Sequence, residues 1–154
     1  MQTFLPYPDF AESARVLDRL RLGKQRVECL QLLRALLVPG AGWANHPAAK
    51  MWRGYAGALA AYGRAVVAEW TARGYRDTCG AKITELAGAA PVTMPPWLGR
   101  PDFHASHRGN LLRKSPEWYG QFGWTESPEL PYVWPEPPYP RRRHDHHRKP
   151  RTPV

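Results

Sequence analysis

Glu28 lies in the basic run LDRLRLGKQRVECLQLL, whose one other acid is Asp18 near its start. On a helix over residues 12–37, turning roughly 100° per residue, Arg21, Lys24, Gln25, Glu28 and Gln31 form one polar wedge. Glu28 follows Lys24 by four residues and Arg21 by seven, so the three share a face. Such a carboxylate can move protons while its cationic neighbours hold phosphates. The same pattern also describes a solvated helix face with an i,i+4 ion pair. Arg26 points away from the wedge.

The elements that must position this wedge read as helical throughout. Asp9 and Glu12 have capping-box spacing and start the first helix after PYP. Its apolar stripe is Val16, Leu20, Gly23, Val27, Leu30 and Leu37, widened by Leu22, Cys29, Leu33 and Leu36. VPGAG ends it near Leu37. Asn45 or His46 caps a second helix, Pro47 fits its first turn, and it runs to Arg73 before Gly74. Met51, Tyr55, Ala58, Tyr62 and Ala65 give its inner face, with Leu59 and Val66 beside them. Asp77 caps a short helix to about Leu86, and APVTMPPWLGRP is an extended connector. Asp102 caps a last helix, FHASHRGNLLRK, that stops at Ser115-Pro116. No segment shows sustained strand alternation and nothing repeats. The expected class is all-α: a single compact domain of three main helices over residues 1–124, with an irregular Pro-rich extension over 125–154, largely disordered after about 135.

Charge narrows the partners. The chain has 154 residues and a formal charge of +9. The tail from Arg141 to Val154 holds six Lys/Arg and one Asp, leaving 16 − 12 = +4 on the body, so both parts are basic. A basic domain of this size favours an anionic polymer, nucleic acid before membrane. Two cysteines, Cys29 and Cys79, make neither a disulfide framework nor a zinc site. No apolar run reaches the ~20 residues of a membrane span. The opening MQTFLPYPDF lacks a basic segment followed by an apolar core, so no secretory leader is expected and the chain reads as cytoplasmic.

Several further residues have two readings. His46 is a helix cap or a site residue. His104 and His107 share a face of the last helix with Arg108, and Arg108, Asn110, Arg113 and Lys114 make a basic surface there. Trp118, Tyr119, Phe122 and Trp124 either stack on bases or pack a small core. His144, His146 and His147 could bind a metal, though phosphate contact suits that tail better; no metal site is expected.

Three blocks, in order, carry a resemblance. LDRLRLGKQRVE places Asp18, Leu22 and Glu28 at fixed spacing; GWANHPAAKMWR is followed by AEWTARGY; SPEWYGQFG closes the series. Together they resemble the pyrimidine-dimer DNA glycosylase family, the small helical base-excision enzymes of T-even phage, over about residues 1–124. The resemblance implies an N-glycosylase with AP lyase activity, free of cofactors. Its nucleophile is the α-amine of the first residue, which forms an imine at the sugar C1′, and Glu28 matches the family's catalytic Glu. An α-amine has a pKa of about 7.7–8.0, so more of it is neutral near pH 7 than of a lysine. Gln2 follows Met1 where phage members begin Met-Thr, and a bulky second residue blocks removal of Met, so the amine is assigned to Met1.

The expected catalytic residues are therefore Met1 and Glu28. The expected DNA contacts are Gln2, Arg21, Lys24, Gln25, His46, His107, Arg108, Arg113 and Lys114. The expected partner is damaged duplex DNA, bound by a monomer with a nucleotide extruded from the stack. Two other readings stand beside this one: a non-catalytic nucleic-acid-binding domain that kept the fold, and a glycosylase for another modified base.

Overall fold

The computed structural model describes residues 1–135 and is all-α there. Helices α1 (Phe10–Val16), α2 (Arg19–Leu37), α3 (Pro47–Trp52), α4 (Ala56–Ala72), α5 (Gly80–Ala87), α6 (Pro101–Lys114) and α7 (Pro116–Tyr119) precede a 3₁₀ turn, Gly120–Phe122. α4 packs against α1, α2 and α5. Its own Leu59, Tyr62 and Val66 are fully buried, as are Trp52, Ile83 and Phe103 from other parts of the chain.

Two of the helices read from the sequence are each divided. The first breaks at Leu17, whose backbone is extended (ψ 136°), and Asp18 caps a fresh start by accepting the Arg21 amide N–H at 3.4 Å. The second breaks at Arg53–Tyr55, where Gly54 takes a left-handed φ of 86° that suits a residue without a Cβ. Two caps fall where the sequence put them: Asp9 accepts from the Glu12 N–H at 2.8 Å, and His46 Nδ1 from Ala48 at 3.0 Å. The expected cap Asp77 lies two residues ahead of Cys79, which is the N-cap of α5, and accepts the Cys79 and Gly80 N–H groups at 3.1 and 2.7 Å. α6 starts at Pro101, one residue before the expected cap Asp102, and ends at Lys114 as expected.

The buried face of α2 is rotated from the expected stripe. Leu22, Cys29 and Leu33, expected at its edge, face the core together with Leu30, Leu32 and Ala35, whereas Leu20 is 78% exposed and Val27 and Leu37 are also exposed. The reason is the break. α2 starts its own phase at Arg19, so a stripe drawn through Val16 does not carry over. Arg26 does leave the wedge: it pairs with Asp77 at 2.6 Å and lies 4.3 Å over the Trp70 ring, tying α2 to the start of α5.

The extension beyond residue 124 is part of the packed body as far as it is described. Ser127 passes so close to α6 that a Cβ on Gly109 would lie 2.5 Å from its carbonyl oxygen. Asn110 donates to the Leu130 carbonyl at 2.9 Å, and Ser106 Oγ accepts from the Val133 N–H at 3.1 Å. The expected disorder after about 135, and the tail histidines, lie outside the described residues.

Candidate active site

Residues 1–6 are neither helix nor strand, and Gln2 through Pro6 are buried. A buried backbone without a ladder needs other partners for its polar groups. Here side chains supply them. Gln25 Oε1 accepts the Phe4 N–H at 2.8 Å, and Gln25 Nε2 donates to the Gln2 carbonyl at 2.7 Å, much as a neighbouring strand would. The Tyr62 hydroxyl donates to the Phe4 carbonyl. His107 Nδ1 accepts the Leu5 N–H at 2.9 Å. His104 Nε2 accepts from Gly99 at 2.9 Å, so its Nδ1 carries the proton and donates to the Leu5 carbonyl at 2.7 Å. Arg108 donates to the Pro6 carbonyl at 2.7 Å and pairs with Glu126 at 2.6 Å. Trp52 Nε1 donates to Thr3 Oγ1 at 2.9 Å.

Two expected DNA contacts, Gln25 and His107, are thus fully buried and hold this arm instead of facing solvent. Arg108 is half-buried in the same task, and Arg113 is exposed on α6 with a 2.6 Å hydrogen bond to Asn110. Burial holds His104 and His107 neutral. His107 is pushed down from its ordinary value of 6.5 to about 3, by loss of hydration first and by His104 second. An unfolded chain takes up that proton below about 6.5, and the folded chain resists it. Stability is therefore complete above pH 6.5 and is lost progressively as pH falls toward 3. The melting temperature is expected to drop roughly 10 °C between pH 7 and pH 4. His107→Gln should lower it at pH 7 and flatten that slope. An equally steep profile in the variant would mean other groups set it.

The arm delivers the chain's first residues to the rim of a cleft of about 390 Å³. Met1, Gln2 and Phe4 line it from the arm, and Leu20, Arg21, Lys24 and Glu28 from α2. Lys114 closes it from the end of α6, and Tyr132 and Trp134 from the extension. Glu28 Oε2 accepts the Gln2 N–H at 3.4 Å, and Glu28 Oε1 lies 3.7 Å from Lys24 Nζ. The Lys24 side chain is 77% exposed while that of Glu28 is largely buried, so the lysine is free to turn toward a phosphate. Arg21 is fixed more firmly. Asp18 accepts from its guanidinium at 3.1 Å and from the Tyr119 hydroxyl. Burial would raise the Asp18 carboxyl, but the hydrogen bonds from Tyr119 and Arg21 outweigh it and hold the group below its ordinary value.

Lys114 joins this cluster across the fold. Loss of hydration lowers its pKa, and Arg21, Arg113 and Lys24 lower it further against the opposing pull of Glu28. His46 is also close to the site. Burial and then the chain's α-ammonium lower its pKa, against Glu28, which raises it. Its Nδ1 is spent on the cap, so its cap and site readings are compatible. Sequence reasoning missed the cleft's far wall, because Tyr132 and Trp134 sit in a proline-rich stretch without periodicity. It also missed Tyr62 and His104 as holders of the arm. Leu20 belongs to the cleft rather than the core.

Among the described residues no group of three or more His, Cys, Asp and Glu is placed to hold a metal ion, and no helix is long and apolar enough to cross a membrane. The arrangement is a carboxylate under an N-terminal arm, ringed by Arg21, Lys24 and Lys114. It offers a proton acceptor, amines able to act as nucleophiles, and cations for phosphate.

No curated protein and no solved structure matches the chain. A sequence profile described as pyrimidine dimer DNA glycosylase matches residues 1–83, which contain the arm, Arg21, Lys24, Glu28 and His46. With more than half its length inside that match, the chain belongs to the pyrimidine dimer DNA glycosylase family.

Proposed function

We propose that the protein is a DNA repair glycosylase with AP lyase activity, in which the α-amine of Met1 and the carboxylate of Glu28 act together in the cleft. The observation that carries this is the hydrogen-bonded placement of Glu28 beneath the first residues of the arm. The neutral amine attacks the sugar C1′. The bond from C1′ to the base breaks, and the base leaves with the electron pair and takes up a proton. The amine nitrogen gives up a proton, the C1′–O4′ bond of the sugar breaks, O4′ takes up a proton, and the opened sugar is held as an imine at C1′. Glu28 then receives a proton from C2′, the C3′–O bond breaks, and the 3′ phosphate leaves. Water hydrolyses the imine and returns the amine. Arg21, Lys24 and Lys114 hold the flanking phosphates, and the exposed Arg113 extends this cationic surface along α6. No cofactor takes part in these steps.

A duplex carrying one site-specific cyclobutane pyrimidine dimer tests the reading. Incubation with the protein should nick the damaged strand at the dimer and leave the undamaged duplex intact. Cleavage of a different damaged base, with dimers untouched, would keep the chemistry and replace the substrate. Tight binding without cleavage of any damaged or abasic duplex would favour a non-catalytic domain that kept the fold.

A further inference from the structure

The loop before α3 holds a feature that neither the core nor the cap explains. Trp43 is 54% exposed and has a φ of 72°, the one left-handed residue other than glycine among the described residues. A bulky side chain at this φ is strained, and such strain persists where the side chain's position has a use. Its ring meets His46 edge-on at 5.8 Å, and His46 meets Trp134 edge-on at 6.2 Å. Trp134 continues to Tyr132 at 5.7 Å, and both line the cleft that holds Glu28. An aromatic row thus runs outward from the cleft, and the cations Arg21, Lys24 and Lys114 also line that cleft.

Resting on the reading of this cleft as a DNA site, we propose that Trp43, His46 and Trp134 form a stacking wall for one unstacked base of the bound duplex. The occupant follows from the two chemistries side by side. Cations suit the phosphates, and open aromatic faces suit a base out of the helix. Aliphatic or anionic ligands would use only one of the two. Stacking accepts any base, so the wall would help to hold the distorted duplex open without reading its sequence.

The test uses the full chain labelled with 5-fluorotryptophan and a duplex containing a tetrahydrofuran abasic-site analogue, which cannot be cleaved. The chain has seven tryptophans, and single Trp→Phe variants assign their fluorine resonances. On binding, the Trp43 and Trp134 resonances should move through the ring current of a stacked base, while those of buried Trp52 and Trp97 stay in place. Trp43→Gly should weaken affinity for this duplex roughly 5- to 150-fold, and Trp43→Phe should restore most of it. Trp43→Gly should not lower the melting temperature, because glycine relieves the strained φ; a merely structural tryptophan would lower it. Unmoved Trp43 and Trp134 resonances in a formed complex would overturn the wall. So would a Trp43→Gly variant that melts earlier but binds as wild type. A wild-type chain that shows no preference for the tetrahydrofuran duplex and gives no borohydride adduct with a duplex carrying an aldehydic abasic site overturns the DNA-site reading itself, before any variant is made.

Discussion

Glu28→Gln is expected to abolish strand cleavage while leaving DNA binding intact. Glutamine keeps the carbonyl oxygen that accepts the Gln2 N–H, so the arm stays in place. What is lost is the group that receives the proton, and removing a positioned general base costs about 10²- to 10⁴-fold in rate. Binding should be unchanged or slightly tighter, because a negative charge near phosphates has been removed. The Lys24–Glu28 pair is exposed on its lysine side, so its loss should move the melting temperature little. Single-turnover cleavage of an abasic duplex at saturating protein, with anisotropy for binding, checks both halves. Cleavage at the wild-type rate would remove Glu28 from the mechanism.

Gln25→Leu is expected to damage stability and activity together. This side chain pairs with the backbone of both Gln2 and Phe4, and it is fully buried. Leucine is close in size but leaves a buried N–H and a buried C=O without partners, each costing roughly 1–3 kcal/mol. For a chain of this length that corresponds to a fall of roughly 5–20 °C in melting temperature. Cleavage at temperatures where the variant is still folded should fall as well, because the arm no longer fixes the first residues beside Glu28. Calorimetry and cleavage on the same preparation decide it. A variant that melts as wild type would mean that the arm is held by Tyr62, His104 and His107 without Gln25.

Much of the fold was legible because helix boundaries are written in local chemistry. Asp9 and His46 cap helices through hydrogen bonds spanning three and two residues, and α6 ends at Lys114, ahead of Pro116. The breaks were harder to read. Asp18 lies inside a stretch with continuous helical spacing, and what makes it a cap is partly tertiary: its amide N–H donates to the Tyr119 hydroxyl, 101 residues away. Glu28 was legible from charge contrast, and the position of Lys24 from spacing. The arm was not. Its structure comes from side chains such as His107, 102 residues distant from Leu5, and no periodicity announces such contacts. Gln25 shows the general difficulty. Hydrophobic patterning assigns a polar residue to the surface, but a polar residue that satisfies buried backbone belongs inside. His107 was misplaced on the same ground. Lys114 joined the cleft only through tertiary packing, and this matters for the mechanism, since its lowered pKa makes it a rival amine.

The central claim is that an imine forms on the α-amine of Met1, and borohydride trapping followed by peptide mapping tests it most directly. The protein is mixed with an abasic-site duplex, reduced with borohydride, digested, and the modified residue identified by mass. The intact mass of the same preparation establishes which residue carries the free α-amine. The account predicts one adduct, on the α-amine of Met1, that disappears when the terminus is acetylated and persists in Lys24→Arg and Lys114→Arg. An adduct on Lys24 or Lys114 that survives acetylation of the terminus would contradict it.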